Sequence, residues 1–309
     1  MKQNNTSLSM DSIAEIWLNE KSNYVKQSTM AIYDMHIRNH ILPYFNNTDD
    51  LTEDNIQEFI FYCANKGLSA KTIKDGMVIL KMIAKKAAKL GAVIITDWEV
   101  NIPRNRDNEK PIDTLSHSEQ RAIVKYMQNN FSFKNLAIML ALHTGMRIGE
   151  ICALQWRDFD KQEGVIHVNR TVERIYDCRN HSSKVQFSTP KTIKSRREIP
   201  IPSTLRQVLN PLSKFFPSDV FLASGSTVPL EPRSLRAHFY QICHTLGMRQ
   251  LKFHILRHTF ATRCISAGCD VKTVSVLLGH SSVSTTMELY VHPNLELKKK
   301  VIEKAYKII

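Results

Sequence analysis

Between Pro103 and Pro111 the chain offers nothing apolar enough to pack into a core. The stretch is polar and charged, it is bounded by Pro103 and Pro111, and each proline disfavours helix at the residue before it. A chain interrupted in this way must fold as two bodies. The reading places a linker at 106–112, a first domain at 1–105 and a second at 113–309. A length of 309 residues suits roughly two domains at about 100–200 residues each. Charge divides at the same place. Residues 1–110 hold 14 basic and 14 acidic side chains, whereas 111–309 hold 28 and 15, so the whole net charge of +13 lies in the second part.

Composition excludes several classes. With 43% hydrophobic and 23% charged residues, disorder is not expected. No apolar run approaches the ~20 residues of a membrane span. The N-terminal MKQNNTSLSM lacks the apolar segment of a signal peptide. Six cysteines are scattered without a CxxC pair, which suits reduced thiols in a cytoplasmic protein.

The first domain reads as all helix. Ser9 caps a segment whose face carries Ile13, Ile16 and Trp17. Ser28 caps a second with Ile32, Met35 and Ile37, closed by Pro43. Thr52 opens a third, with Glu53 and Asp54 favouring its dipole. Ser69 opens a fourth, in which Ile73, Met77, Leu80, Ala84 and Ala87 share one face and which ends at Gly91. The second domain begins at a capping box, Ser116 with Glu119. A buried helix over 136–142 stops at Gly145, a strand is expected over 164–172 and a short edge strand over 197–201. From Leu205 onward the pattern is mostly helical. The expected fold class is mainly α with a small β-sheet, an α+β second domain following a helical first one.

Between Lys66 and Lys89 lie seven lysines and one acid, Asp75. The ordinary reading is a solvated helix surface; the functional one is a helix lying along a phosphate backbone. Lys184, Lys191, Lys194, Arg196 and Arg197 form a second basic cluster. Charge alone does not separate DNA from RNA or a membrane as the acidic partner.

Four sites carry chemistry. Arg147 follows a glycine turn at a helix start and could hold phosphate or simply pair with Glu150. Lys191 lies on a loop entering a strand and could be a general acid or a solvated base. His254, Arg257 and His258 share one helix face. That is costly without an anion beside it, unless His254 and His258 hold zinc, for which no third ligand has the spacing. His280 follows a glycine, with Tyr290 ten residues later; each alone reads as core. Together these residues suit attack on a phosphodiester without a metal. Two guanidiniums clamp the non-bridging oxygens, a cationic lysine or histidine protonates the leaving sugar oxygen, and a tyrosine whose phenolate is favoured by neighbouring cations is the nucleophile.

The string ALHTGMRIGEICAL over 141–154, HILRHTFAT over 254–262 with Gly268, and the run from Leu278 and His280 through Thr286 to Tyr290 and His292 resemble the three spaced boxes of the tyrosine recombinases, or phage integrases. That resemblance implies a helical, SAM-like core-binding domain and a catalytic domain closing as a clamp around DNA. It implies that Arg147 and Arg257 bind the scissile phosphate, that Tyr290 forms a 3′-phosphotyrosine, that Lys191 protonates the leaving 5′ oxygen, and that His254 and His280 assist proton transfer or hold phosphate oxygens. Glu150 orients the arginine region; His258 and His292 take structural roles. Lys71, Lys74, Lys81, Lys85, Lys194 and Arg196 become DNA contacts.

No cofactor or metal is implied, and the sequence has no Walker-type loop. The implied partners are double-stranded recombination sites, a homotetramer on two duplexes joined by exchange of the basic C-terminal helix, and accessory bending or excision factors, in a nucleoid-associated setting. With about ten residues before the first helix, the chain either binds core sites alone or is a piece of a longer protein carrying an arm-binding domain. The threonine-proline-lysine hairpin over 189–192 resembles integrases of mobile elements such as conjugative transposons. Dimer resolution or DNA inversion by the same chemistry, a non-catalytic DNA-binding regulator, and a zinc nuclease using His254, His258 and His280 are the alternatives.

Overall fold

Helix starts fall where small polar side chains can accept the first free backbone N–H groups. The Ser9, Thr52, Ser69 and Ser132 side chains accept from residues three positions on. Ser116 and Glu119 complete the expected reciprocal capping box, with Glu119 N donating to Ser116 Oγ at 3.2 Å and Ser116 N donating to Glu119 Oε2 at 2.7 Å. The structure, a computed structural model, describes residues 9–45, 51–91, 97–103, 113–177, 179–188, 196–290, 299, 302, 303 and 306. The chain divides into two compact units, Met1–Lys110 with Ile175–Lys184, and Pro111–Arg174 with Val185–Ile309.

In the first unit, α1 (Met10–Lys21), α2 (Gln27–His36), α3 (Leu42–Phe45), α4 (Glu53–Asn65) and α5 (Ala70–Lys89) enclose a core of Trp17, Ile41, Phe45, Ile56, Phe59, Ile60, Leu80 and Ile83. All five residues expected on the buried face of α5 are buried. Three expectations fail. Ile16 and Ile32 are exposed, because the burying faces of α1 and α2 are narrower than their apolar content. α2 starts at Gln27 after Lys26, with no side-chain cap, so Ser28 lies inside the helix. Pro43 does not end the helical path either. A π-turn over Ile37–Ile41 precedes it. Widening the spiral there accommodates a residue with no N–H and a ring that would crowd the preceding turn.

The second unit is built on α7 (Phe133–Thr144), whose Leu136, Ala137, Ile138, Leu140 and Ala141 are all buried. Around it lie α6 (His117–Asn129), α8 (Ile148–Cys152), α9 (Ser203–Leu212), α10 (Pro232–Thr245), α11 (Ile255–Ser266), α12 (Val271–Leu278) and α13 (Val283–Tyr290). A three-stranded antiparallel sheet has the order β1 (Phe159–Asp160), β2 (Val165–Val168), β5 (Arg197–Pro200), with Ile166 opposite Ile199 and Val168 opposite Arg197. The strand expected over 164–172 is two strands. After Val168 the chain leaves the sheet, and β3 (Thr171–Asp177) pairs instead with β4 (Ser182–Ser188). The break sits at Arg170, whose guanidinium donates to both oxygens of the buried Asp158 at 2.7 and 2.5 Å. Among the described residues no helix is long and apolar enough to cross a membrane.

Burial on α5 predicts a contrast within one turn. Ile83→Ala, at a fully buried position, should cost about 2–5 kcal/mol in urea unfolding. Lys85→Ala, at an exposed one, should stay within about 0.5 kcal/mol.

Candidate active site

Buried arginines need acceptors for every N–H they bring inside, and here one helix end supplies them. α12 stops at Gly279, which takes the left-handed conformation with φ +66°. Its last carbonyls point out of the helix with their partial negative charge uncompensated. Three guanidiniums donate to three consecutive ones. Arg197 Nε reaches Leu277 O at 2.6 Å, Arg257 Nη2 reaches Leu278 O at 2.8 Å and Arg147 Nη2 reaches Gly279 O at 2.9 Å. A Cβ at Gly279 would lie 2.9 Å from Arg197 Nη1, so that position needs glycine for space as well as for conformation.

Each arginine has a second anchor. Arg257, 2% exposed, donates through Nη1 to Gly145 O at 2.7 Å. Gly145 closes α7 with φ +62°, and a Cβ there would strike the Phe260 ring at 2.4 Å. Arg147, which begins α8, donates through Nη1 to Glu150 Oε1 at 3.0 Å, and its backbone N–H donates to Oε2 at 2.8 Å. Arg197 binds the same carboxylate with both terminal nitrogens, at 3.1 and 2.9 Å.

The carboxylate of Glu150 therefore serves two arginines while 4% exposed. Burial alone would raise its pKa. The hydrogen bonds and charge of Arg197, with the charge of Arg147, outweigh that and hold it below the usual carboxylate range. Among the described residues three guanidiniums gather around this one carboxylate, an excess of positive charge. Burial, with Arg147 and Arg197 nearby, pushes Arg257 down to about 9.

The histidines line the same region. His254 caps the start of α11, and its ring meets His258 edge-on at 4.6 Å between centroids. His280 Nδ1 lies 2.8 Å from the buried Thr286 Oγ1. Burial, then Arg257 and Arg147, pushes His280 down to about 4. Desolvation of the ring lowers His254 also, aided by His258, Arg257 and Arg147, although the residue as a whole is exposed. Both imidazoles are neutral at neutral pH.

Tyr290, at the end of α13, is 8% exposed and packs with Ala261, Val274 and Leu278. Its phenolic oxygen lies 2.6 Å from His258 Nδ1. Arg257 pulls the phenol down, as expected of a neighbouring cation, but the net shift is upward. Burial raises its pKa, and the opposing pull of Arg257 is smaller.

The structure thus gathers Arg147, Glu150, His254, Arg257, His280 and Tyr290 from α8, α11, α13 and the turn after α12. Lys191 and Lys194 lie outside the described residues, as does His292. Arg196 is exposed, whereas Arg197, one residue on, is buried. The basic-cluster reading of Arg197 is therefore corrected: alternation along β5 turns it inward to Glu150. That period-2 alternation was the available signal. His258, read as structural, touches the phenol.

On α5, Lys71, Lys74 and Lys85 are exposed. Lys71 pairs with Asp75 at 3.5 Å, and the partly buried Lys81 pairs with Asp97 at 3.2 Å. Such surface pairs are weak and leave the lysines able to exchange partners. Among the described residues no three His, Cys, Asp or Glu side chains gather as a metal site.

Residues 113–296, more than half of the chain, match the phage integrase family, and residues 10–62 match the phage integrase N-terminal SAM-like domain. The chain belongs to the phage integrase family. It is a tyrosine recombinase, an enzyme of site-specific DNA strand exchange.

A XerC-like tyrosine recombinase of Caldanaerobacter subterraneus is 29% identical to this recombinase over 306 residues, covering 90% of this chain and 77% of that one. The ICEBs1 integrase of Bacillus subtilis is 25% identical, covering 94% and 80%. Among solved structures, the Tn1549 transposon integrase (residues 82–397) with a circular intermediate DNA superposes with a TM-score of 0.74 at 20% identity, covering 95% of this chain and 99% of that one. A lambda integrase tetramer bound to a Holliday junction gives 0.67 at 19%, covering 93% and 78%. Both structures share the fold of the recombinase, a helical N-terminal domain followed by an α-rich catalytic domain.

Two outcomes are expected. Arg197→Met leaves Glu150 with Arg147 alone and three carbonyls with one fewer donor. Removing one partner of a buried pair typically costs about 3–5 kcal/mol, measurable in urea unfolding. The histidines add a pH dependence. A folded-state pKa below the ordinary 6.5 means that the unfolded chain binds protons first as pH falls. The contribution of His280 is complete above about pH 6.5 and is lost as pH drops toward about 4. Thermal melts should fall across that window, and His280→Gln should flatten the fall.

Proposed function

We propose that this recombinase integrates and excises a mobile element, with Arg147 and Arg257 on the scissile phosphate and Tyr290 as the nucleophile. One observation carries the chemistry: Arg147, Arg197 and Arg257 donate to three consecutive carbonyls at the end of α12, and the Tyr290 phenol, which packs against Leu278 of that same end, feels the charge of Arg257. In-line attack by a phenolate on a phosphodiester builds a doubly negative phosphorane. A site whose guanidiniums outnumber its carboxylate favours that charge more than the singly charged ground state. A preorganised donor of this kind is typically worth about 10²–10³ in rate.

In this reading Arg147 and Arg257 donate to the non-bridging oxygens, and Glu150, itself bound by Arg197, holds Arg147 in place directly. His254 and His280, neutral at rest, become better donors as negative charge grows. Lys191 is assigned protonation of the 5′ oxygen on the family resemblance. The phosphotyrosine ester conserves the energy of the bond it replaces, so a 5′-hydroxyl from a second duplex reseals the strand without a nucleotide cofactor.

The domain assignment proposed is 1–105 for core binding, 106–112 as linker and 113–309 for catalysis. The mobile-element role is supported by similarity to the ICEBs1 and Tn1549 integrases. A tetramer on two duplexes is supported by the shared fold of the lambda integrase tetramer on its junction. Exchange of the C-terminal helix and dependence on accessory excision factors belong to the same proposal.

The test uses duplexes selected from a random-sequence pool by binding to the Tyr290→Phe chain, then nicked so that cleavage releases a short fragment. Wild-type chain should form a covalent protein–DNA adduct and Tyr290→Phe none. An adduct that persists in Tyr290→Phe overturns the assignment. On the same duplexes, binding should weaken with salt, and Lys85→Ala should reduce the log–log slope by about 0.9; an unchanged slope returns that lysine to the solvated surface.

A further inference from the structure

A tyrosine can attack phosphorus only after its proton has somewhere to go, and burial limits the choice. The Tyr290 side chain is 8% exposed, which leaves little room for bulk water as acceptor. Among the described residues the phenol makes one hydrogen bond, to His258 Nδ1 at 2.6 Å. His254 and His280 are held elsewhere. The first stacks edge-on against the His258 ring, and the second bonds Thr286. His258 stands one residue beyond Arg257 on α11, so the group beside the phenol and a guanidinium facing phosphate are fixed by the same helix turn.

We propose that His258, the imidazole that hydrogen-bonds the phenol among the described residues, is the base that takes the Tyr290 proton. This rests on the strand-exchange reading above. The groups facing His258 are Tyr290, His254, Arg257 and, more distantly, Asp113. Burial and the Arg257 charge lower the pKa of His258, while Asp113 pulls the other way. That direction favours the neutral ring, and the tautomer with its proton on Nε2 presents an Nδ1 lone pair to the phenol.

The step balances as follows. The O–H bond of Tyr290 breaks and its proton passes to Nδ1, giving an imidazolium. The phenolate oxygen bonds to phosphorus, the bond from phosphorus to the 5′ oxygen breaks, and that oxygen receives its proton from Lys191. In resealing, an incoming 5′-hydroxyl gives its proton to the now neutral Lys191 amine and attacks phosphorus, and the bond from phosphorus to the Tyr290 oxygen breaks. The departing phenolate takes its proton back from His258. Arg257 stabilises the phenolate in both directions.

The experiment measures single-turnover adduct formation on the selected, nicked duplexes as a function of pH. It compares wild type, His258→Ala and His258→Asn, with DNA binding and thermal melting recorded for each. Asparagine keeps an acceptor near the phenol but cannot carry its proton, so it separates positioning from proton transfer. Both variants should bind DNA as wild type does and form adduct about 10²–10⁴-fold more slowly. Their rate should climb steadily with pH toward phenol ionisation, and imidazole should partly restore His258→Ala. A rate in His258→Asn close to wild type, or a loss in both variants that leaves the pH profile unchanged and ignores imidazole, overturns the proposal. Absence of adduct from wild-type chain instead overturns the strand-exchange reading itself.

Discussion

The C-terminal end of α12 holds the catalytic unit together. Leu277, Leu278 and Gly279 present successive carbonyls to Arg197, Arg257 and Arg147. These arginines come from a strand, from α11 and from the start of α8. A helix end concentrates unsatisfied acceptors in a small volume, and guanidinium is the side chain with donors enough to bridge from there to other elements. One left-handed glycine turn thereby brings three distant segments of the second unit to one place. Glu150 completes the arrangement as the one carboxylate bound by two of the three cations.

The same arrangement explains why the site tolerates its own charge. An isolated buried guanidinium is expensive, and Arg257 shows that cost in its depressed pKa. Carbonyl dipoles satisfy its hydrogen bonds without neutralising it. The excess positive charge remains for an anion arriving from outside. A site built with one more carboxylate would be more comfortable alone and less attractive to a phosphate. The neutral histidines and the protonated phenol fit the same logic, since each is held in its uncharged form until charge develops nearby.

Much of this was readable in the linear chain, and the exceptions have identifiable causes. Caps at Ser9, Thr52, Ser69 and Ser116 depend on local hydrogen bonds and were read correctly. Pro43 was misread because a local rule about proline cannot see a π-turn that relieves the clash one turn earlier. The strand over 164–172 was misread because the break at Arg170 answers to Asp158, twelve residues back and buried. Among site residues, the arginines, histidines and tyrosine stood out by type and spacing. Arg197 did not, because it was hidden in a basic run, and His258, visible on the face of Arg257, was given a structural role. Their partners, Glu150 and Tyr290, are 47 and 32 positions away.

The sequence by itself determined the helical segments and their caps, the split near the two prolines, the location of the positive charge and the chemical types able to act on a phosphodiester. These follow from short-range periodicity, backbone restrictions and side-chain chemistry, all of which are local. Only the tertiary structure decided which cation faces inward, which carboxylate it binds, that burial outweighs Arg257 at the phenol, and which imidazole the phenol meets. Those outcomes depend on desolvation and on contacts between residues far apart in the chain, and both quantities exist only once the core has closed.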